Sequence, residues 1–369
     1  MLPAPRIQED SGWAAFEPST LRNGNRHAPW NRVVDPAAWR AADLTRLDDW
    51  SYRLSDEDCD EVAAAVHDVQ RRGVAPENVT RENFPLGGFA EILRDVRREL
   101  TDGRGMVMLQ GFPLDRLDRQ GQFIAYLGMG DHLGRPMSQN PQGHLIGHVR
   151  DVGADYADPV VRAYKTRAAL VFHCDRCTYV GLMCLQTAKS GGESMVTSSV
   201  TVYNRMLERW PDLVEVLTQD FYRSKMGEID PGESPFYTQP IFTFYKGYFS
   251  AIGAGSYIDK AQKLPGVPPM SSAQKEAIRL YRETAAECAV DIPFAPGDIQ
   301  LLNNYVTLHA RRGYEDWPDP DRRRHLLRLW LSDLGARPIP AQQLKDFGTG
   351  VLVQGVTPNV PLDVFEPAA

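Results

Sequence analysis

The chain has 369 residues, 43% hydrophobic and 24% charged, which is enough apolar material for a sizeable core. Its net charge of −7 and lack of a long Lys/Arg run argue against nucleic acid as a partner, and no apolar stretch approaches the roughly eighteen residues of a membrane span. Five cysteines, an odd number at low density, read as reduced thiols of a cytoplasmic protein, and the opening MLPAPRIQEDSGW lacks the charged and apolar regions of a signal peptide.

Residues 1–50 are rich in Trp, Pro and Asp, and Trp13, Trp30, Trp39 and Trp50 suggest an arm that packs onto the body. Ser55 followed by Asp58 resembles a capping box, Val62, Val66 and Val69 recur at helical spacing, and Gly73 can end that helix. A second helix is expected with Phe89, Ile92, Leu93, Val96 and Leu100 on one face, ending near Gly103. GMVMLQGF then reads as a short buried strand.

From about residue 160 come the short β-rich runs AALVFH, YVGLMCLQ, SMVTSS, IFTFY, DIQLL and HLLRLWL, the profile of a sandwich or barrel. Helices are expected at 200–218 and 272–288, and the Gly/Pro-containing segment 225–270 reads as a lid or binding loop. With no repeat or low-complexity linker, one domain is favoured: an arm and helices over 1–105, a core over 106–335 carrying the 225–270 insertion, and a tail over 336–369.

The chemistry concentrates in ALVFHCDRCTYVGLMCLQ, residues 169–186. If the strand continues through the motif, a period of two places His173 and Asp175 on one face and Cys174 on the other. Cys174 and Cys177 have neither a second cysteine pair nor a redox context, so packed thiols are the default. His309, after a Pro-Gly-Asp turn and an apolar strand, is the best third ligand, and two histidines with one carboxylate describe the facial triad of non-haem Fe(II) oxygenases. On RRRHLLRLWL, alternation puts Arg324, Leu326, Arg328 and Trp330 on one face. Arginines facing inward on a buried strand are costly unless paired with anions, which a keto acid with a distal carboxylate would supply. Arg322 and Arg323 read as a solvated turn. His144 and His148 lack the glutamate of a zinc-protease motif and read as structural or as lining a pocket mouth.

Taken together, FHCD, AKSGGESMVTSS, NNYVTLHAR and RRRHLLRLWL resemble the taurine dioxygenase (TauD/TfdA-like) branch of the Fe(II)/2-oxoglutarate dioxygenases over most of residues 100–331. The resemblance implies a double-stranded β-helix, a mainly β, cupin-like jelly-roll barrel with N-terminal and inserted helices, and Fe(II), 2-oxoglutarate and O2 as cofactor and cosubstrates. It implies His173, Asp175 and His309 as iron ligands, Ser194 and Arg324 as the contacts of the far carboxylate, and Arg328 as facing an acidic group of the substrate. Arg324 follows His309 at a slightly longer interval than the family's pattern, with DWPDPD inserted, so Arg328 is the competing cosubstrate anchor. The family's loop after H-x-D is also short here, which leaves 225–270 as the cover.

The implied reaction oxidises an unactivated C–H bond of a small, acidic or amino-acid-derived molecule, with succinate and CO2 released and natural-product biosynthesis as one setting. Hydroxylation is the default, desaturation or cyclisation are variants, and the retained Asp175 disfavours halogenation. Tyr179, Asn304 and Asn140 are further candidates for touching substrate, and a homo-oligomer stays open. The alternatives are a zinc hydrolase on the same three ligands and a non-catalytic cupin-like binding protein.

Overall fold

The computed structural model describes residues 28–44, 46–154, 162–229, 232–343, 350–351 and 355–363. Trp13 lies outside them; Trp39 and Trp50 are buried, while Trp30 is half exposed.

Helix α1 (Asp56–Arg71) begins with the expected box: Asp58 N–H donates to Ser55 Oγ at 3.1 Å and Ser55 N–H donates back to the Asp58 carboxylate at 2.8 Å. Gly73 follows its end at φ 66°, a left-handed position that glycine takes at no steric cost. Helix α2 (Gly88–Asp102) buries Phe89, Leu93, Val96 and Leu100 as expected. Helix α3 (Arg119–Leu133) has no counterpart in the sequence reading. It is buried nearly all round, so no polar stripe marks its period. Gly128 lets it press on Phe84, whose ring would lie 2.3 Å from an added Cβ.

The strands of the two main sheets are β1 (Ser51–Arg53), β2 (Met106–Gln110), β3 (Arg135–Met137), β4 (Ile146–Val149), β5 (Leu170–His173), β6 (Tyr179–Gln186), β7 (Ser194–Ser198), β8 (Val290–Ile292), β9 (Ile299–Asn303), β10 (Thr307–Arg311) and β11 (His325–Ser332). The larger sheet runs β1-β2-β9-β6-β11-β3, with β4 also paired to β11, and the smaller runs β8-β7-β10-β5. Apart from the parallel β1–β2 pair, these pairings are antiparallel. The two sheets form the jelly-roll core that the strand pattern predicts.

Three apolar layers follow from this order. Helices α1 to α3 pack their stripes on the outer face of the larger sheet. Met108, Val180, Leu302 and Trp330 from that sheet meet Val196 and Ile292 from the smaller one between the sheets. Helices α4 (Ser199–Arg209), α5 (Pro211–Leu217), α6 (Ser256–Ala261) and α7 (Ser272–Glu287) cover the far side.

Two expectations change in detail. The helix expected at 200–218 is two helices, because Pro211 lacks the N–H that a continuous helix needs and instead starts α5. The segment 225–270 is no bare loop: it carries strands Phe236–Gln239, Phe242–Tyr245 and Tyr248–Ala251 as well as α6. The last two strands form a hairpin through Lys246 and Gly247, both at positive φ, the geometry of a two-residue turn.

Candidate active site

Strand β5 ends at His173, two residues earlier than the strand-wide alternation assumed, and Asp175 lies just beyond it. Its placement comes instead from Asn304, whose Oδ1 accepts the Asp175 N–H at 3.1 Å. Register brings the third member in: His309 on β10 pairs directly with His173 on β5. One ligand atom from each of His173, Asp175 and His309 falls within 4.8 Å of the other two, and no other such cluster occurs among the described residues.

The three side chains crowd together without hydrogen-bonding one another. The rings of His173 and His309 are 4.3 Å apart at 46°, and His309 Nε2 stands 3.9 Å from Asp175 Oδ2. His173 Nδ1 is tied to the Val171 carbonyl at 2.9 Å, which leaves its Nε2 free. Burial lowers the pKa of His173 and holds that of His309 at about 3, so both imidazoles are neutral and can each offer a ring nitrogen to a metal. Burial pushes the Asp175 carboxyl up, but the Arg328 guanidinium and the Trp330 hydrogen bond favour its charged form and its pKa lies below the usual carboxylate range. Two neutral imidazoles and one carboxylate, converging with no hydrogen bonds among them, fit a divalent iron with open positions.

The predicted face of β11 supports the carboxylate. Trp330 Nε1 donates to Asp175 Oδ2 at 2.9 Å, and Arg328 Nη1 lies 3.3 and 3.4 Å from its two oxygens. Arg328 is itself aimed by Gln139, whose Oε1 accepts its Nε–H at 2.8 Å, and by the Tyr164 ring 4.7 Å beneath it. Such outer contacts fix a ligand's orientation and basicity.

Two cavities meet at these ligands. The first, about 460 Å³, is lined by His173, His309, Ser194, Arg311, Arg324 and Arg328 with apolar Val149, Leu170, Leu182, Phe294 and Leu326. The second, about 550 Å³, is lined by His173, Asp175 and Arg328 with Arg162, Met226, Ser256 and Tyr257. Tyr164, Leu170, His173 and Arg328 form the wall they share. In the first, Ser194 Oγ donates to Gln300 Oε1 at 2.8 Å, and Arg324 donates from Nη2 to the Gly192 carbonyl at 3.2 Å while its buried Nη1 has no partner. Behind the wall of the second, Glu228 bridges Arg162, which lines it, to Arg176.

Residues 70–330 match the sequence profile of the taurine catabolism dioxygenase TauD, TfdA family. The chain belongs to that family. It is a non-haem iron dioxygenase with 2-oxoglutarate and O2 as cosubstrates, which overturns the zinc-hydrolase and non-catalytic alternatives. Among curated relatives of this TauD/TfdA dioxygenase is FR-33289 synthase of Streptomyces rubellomurinus, 29% identical over 84% of this chain and 92% of the relative. A taurine hydroxylase-like protein of Stachybotrys chartarum is 28% identical over 82% and 80%. The fold matches asparagine oxygenase in complex with Fe(II), (2S,3S)-3-hydroxyasparagine and succinate, with TM-score 0.59 and 20% identity over 77% of this chain and 94% of that one. It also matches the non-haem iron oxygenase OrfP in complex with Fe and α-ketoglutaric acid, with TM-score 0.58 and 14% identity over 82% and 99%.

Three candidate substrate residues of this dioxygenase line neither cavity. Tyr179 is buried behind the site, its hydroxyl 2.6 Å from Thr101 Oγ1 and 3.0 Å from Asp333 Oδ2. Asn304 contacts the backbone of Asp175 and Cys177, and so acts on the position of the carboxylate. Asn140 closes a turn by accepting the N–H groups of Gln142 and His144. Cys174 turns away, its Sγ accepting the Gly253 N–H, and Cys177 donates to the Tyr179 carbonyl. Burial raises the pKa of both thiols, which opposes a thiolate ligand. His148 meets His325 at 2.9 Å and the Pro361 carbonyl at 2.9 Å, away from the cavities.

The sequence reading missed Arg162, Tyr164, Tyr257 and Arg311. The first three belong to segments without a clear period. Arg311 did carry a signal, since it stands two residues after His309 and shares its face of β10.

Proposed function

We propose that this dioxygenase oxidises an unactivated C–H bond of a small acidic or amino-acid-derived substrate, hydroxylation being the default outcome, with release of succinate and CO2. His173, Asp175 and His309 hold the iron, Ser194 and Arg324 take the distal carboxylate of 2-oxoglutarate in the first cavity, and the substrate occupies the second. Fe(II) with 2-oxoglutarate and O2 supplies the oxidising power, and the chain supplies geometry, charge and exclusion of water.

The observation that carries this reading is the division of the two arginines. Arg324 lines only the first cavity, whereas Arg328 lines both and leans on Asp175. Arg324, with its unpartnered Nη1, is therefore the better cosubstrate anchor, and Arg328, which already steadies Asp175, faces the second cavity, where it can also orient an acidic group of the substrate. Gln300 Nε2 is also buried without a partner. Half a turn of that amide would make it donate to Ser194 Oγ and release the hydroxyl proton toward a carboxylate.

The substrate class rests on charge. Arg162 and Arg328 line the second cavity with Arg176 behind, against Glu228 and an Asp175 that is committed to metal. An anionic group on the substrate would offset that excess. The small molecules bound by asparagine oxygenase and OrfP and the synthase from Streptomyces are in keeping with an amino-acid-derived or natural-product substrate.

The test is anaerobic addition of Fe(II) and 2-oxoglutarate to apoprotein, followed by a substrate screen read by succinate release. A weak visible charge-transfer band should appear, and should vanish in His173→Ala. No band, together with tight stoichiometric zinc, would contradict the proposal.

A further inference from the structure

Arg311 follows His309 by two residues on β10, and the register sets it directly opposite Ser194 on β7. Its side chain therefore enters the first cavity beside the serine. Nη2 is held by the Thr166 carbonyl at 2.7 Å and by the Ala168 carbonyl, while Nε and Nη1 are buried with no partner. Arg324 closes on the same place: its guanidinium lies 5.3 Å from the Tyr314 ring centre and that of Arg311 lies 4.8 Å from it.

Two buried guanidinium groups thus share one aromatic ring. Neither makes a salt bridge among the described residues, and no aspartate or glutamate lines the cavity. Of the acids around Arg324, Asp316 accepts its backbone N–H through Oδ1 while Oδ2 has no partner, and among the described residues no carboxylate stands within ion-pair distance of either guanidinium. Burying two guanidinium groups side by side with no carboxylate paired to either is costly. Removing one charge would relieve this more simply than retaining both, unless an anion arrives.

We infer that Arg311 is a second cation for the distal carboxylate of 2-oxoglutarate, gripping it together with Arg324 and Ser194 and setting the selectivity for a dicarboxylic keto acid. This rests on the cosubstrate reading above. A carboxylate has two oxygens with about four acceptor positions, enough for Arg324, for Arg311 Nη1 and for the serine hydroxyl.

The alternative is that Arg311 only props the Thr166–Ala168 turn. Anaerobic calorimetry on the Mn(II)-loaded enzyme separates the two, comparing 2-oxoglutarate with 2-oxopentanoate, which has the same chain but a methyl in place of the distal carboxylate. Wild type should prefer 2-oxoglutarate. Arg311→Gln should weaken 2-oxoglutarate roughly tenfold or more and 2-oxopentanoate less than about twofold, as expected for loss of a hydrogen bond to a charged group. Equal weakening of both keto acids, or an unchanged preference, overturns the inference and leaves the cosubstrate reading standing. A wild type that binds both equally overturns the two together. If Arg311→Gln fails to fold, a crystal structure of the wild type with 2-oxoglutarate decides: a guanidinium nitrogen of Arg311 within hydrogen-bond distance of the distal carboxylate is expected, and a gap wide enough for a water molecule refutes it.

Discussion

The cavity bounded by Ser194, Arg311 and Arg324 and the one bounded by Arg162, Met226 and Tyr257 share a wall but are built from different material. The first is lined largely by residues of β7, β10 and β11, whose spacing is fixed by ladder hydrogen bonds, with Arg324 just ahead of β11, and its Arg311 and Arg324 lack acidic partners. The second draws on loop residues and the start of α6, with Glu228 bridging Arg162 to Arg176. A ligand common to a whole family suits a rigid strand-built pocket, whereas a ligand peculiar to one member suits a loop-built one, where sequence change is tolerated. The wall between them, His173 with Arg328 and Tyr164, is where the two ligands would meet.

The comparison breaks most readily at the wall. Trp330→Phe removes the 2.9 Å hydrogen bond to Asp175 while keeping an aromatic body, and should weaken Fe(II) affinity by about 10–100-fold, the usual cost of losing a ligand's outer partner. Equilibrium dialysis against Fe(II) without oxygen measures this. Unchanged affinity would show that Arg328 alone orients the carboxylate.

A smaller effect should distinguish the chambers. Tyr257→Phe touches only the second, so it should raise KM for the organic substrate severalfold, as for about 0.5–1.5 kcal/mol of hydrogen bonding, and leave KM for 2-oxoglutarate unchanged. An equal rise in both constants would mean the cavities are not functionally separate.

The smallest effect lies outside both. Half-buried His148 and buried His325 are bonded to each other, with Arg119, Arg150, Arg324, His144 and Asp363 as the charges around them. Burial holds their pKa values at about 4 and about 3, below the 6.5 of a free histidine. The unfolded chain therefore takes up protons first, and the stability these groups contribute is present above pH 6.5 and lost as pH falls toward 4. Urea midpoints at pH 7.5 and 5 should differ, and His148→Gln should reduce the difference. An identical drop in the variant would assign it to other groups.

How much of this was legible in the sequence follows the same division. Strand alternation correctly grouped Arg324, Leu326, Arg328 and Trp330, because a period of two survives in any paired strand. The capping box at Ser55 and the apolar stripe of α2 were equally plain, since each is local. Helix α3 was illegible because burial on all sides erases amphipathicity. Tyr179 looked close to the site only along the chain; its side chain points through β6 to Thr101 and Asp333. Arg162 and Tyr257 could not be found, because no periodicity links loop residues to a cavity that only the tertiary fold assembles.

The partition of the two arginines is tested most directly by anaerobic titration of 2-oxoglutarate into the Fe(II) enzyme, followed by its visible band, in wild type, Arg324→Gln and Arg328→Gln. Leaving a charged group without its buried partner costs about 2–5 kcal/mol. Arg324→Gln should therefore weaken 2-oxoglutarate by roughly 30-fold or more, while Arg328→Gln should bind it within a few-fold of wild type. Loss of binding in Arg328→Gln with Arg324→Gln unaffected would contradict the assignment of the two chambers.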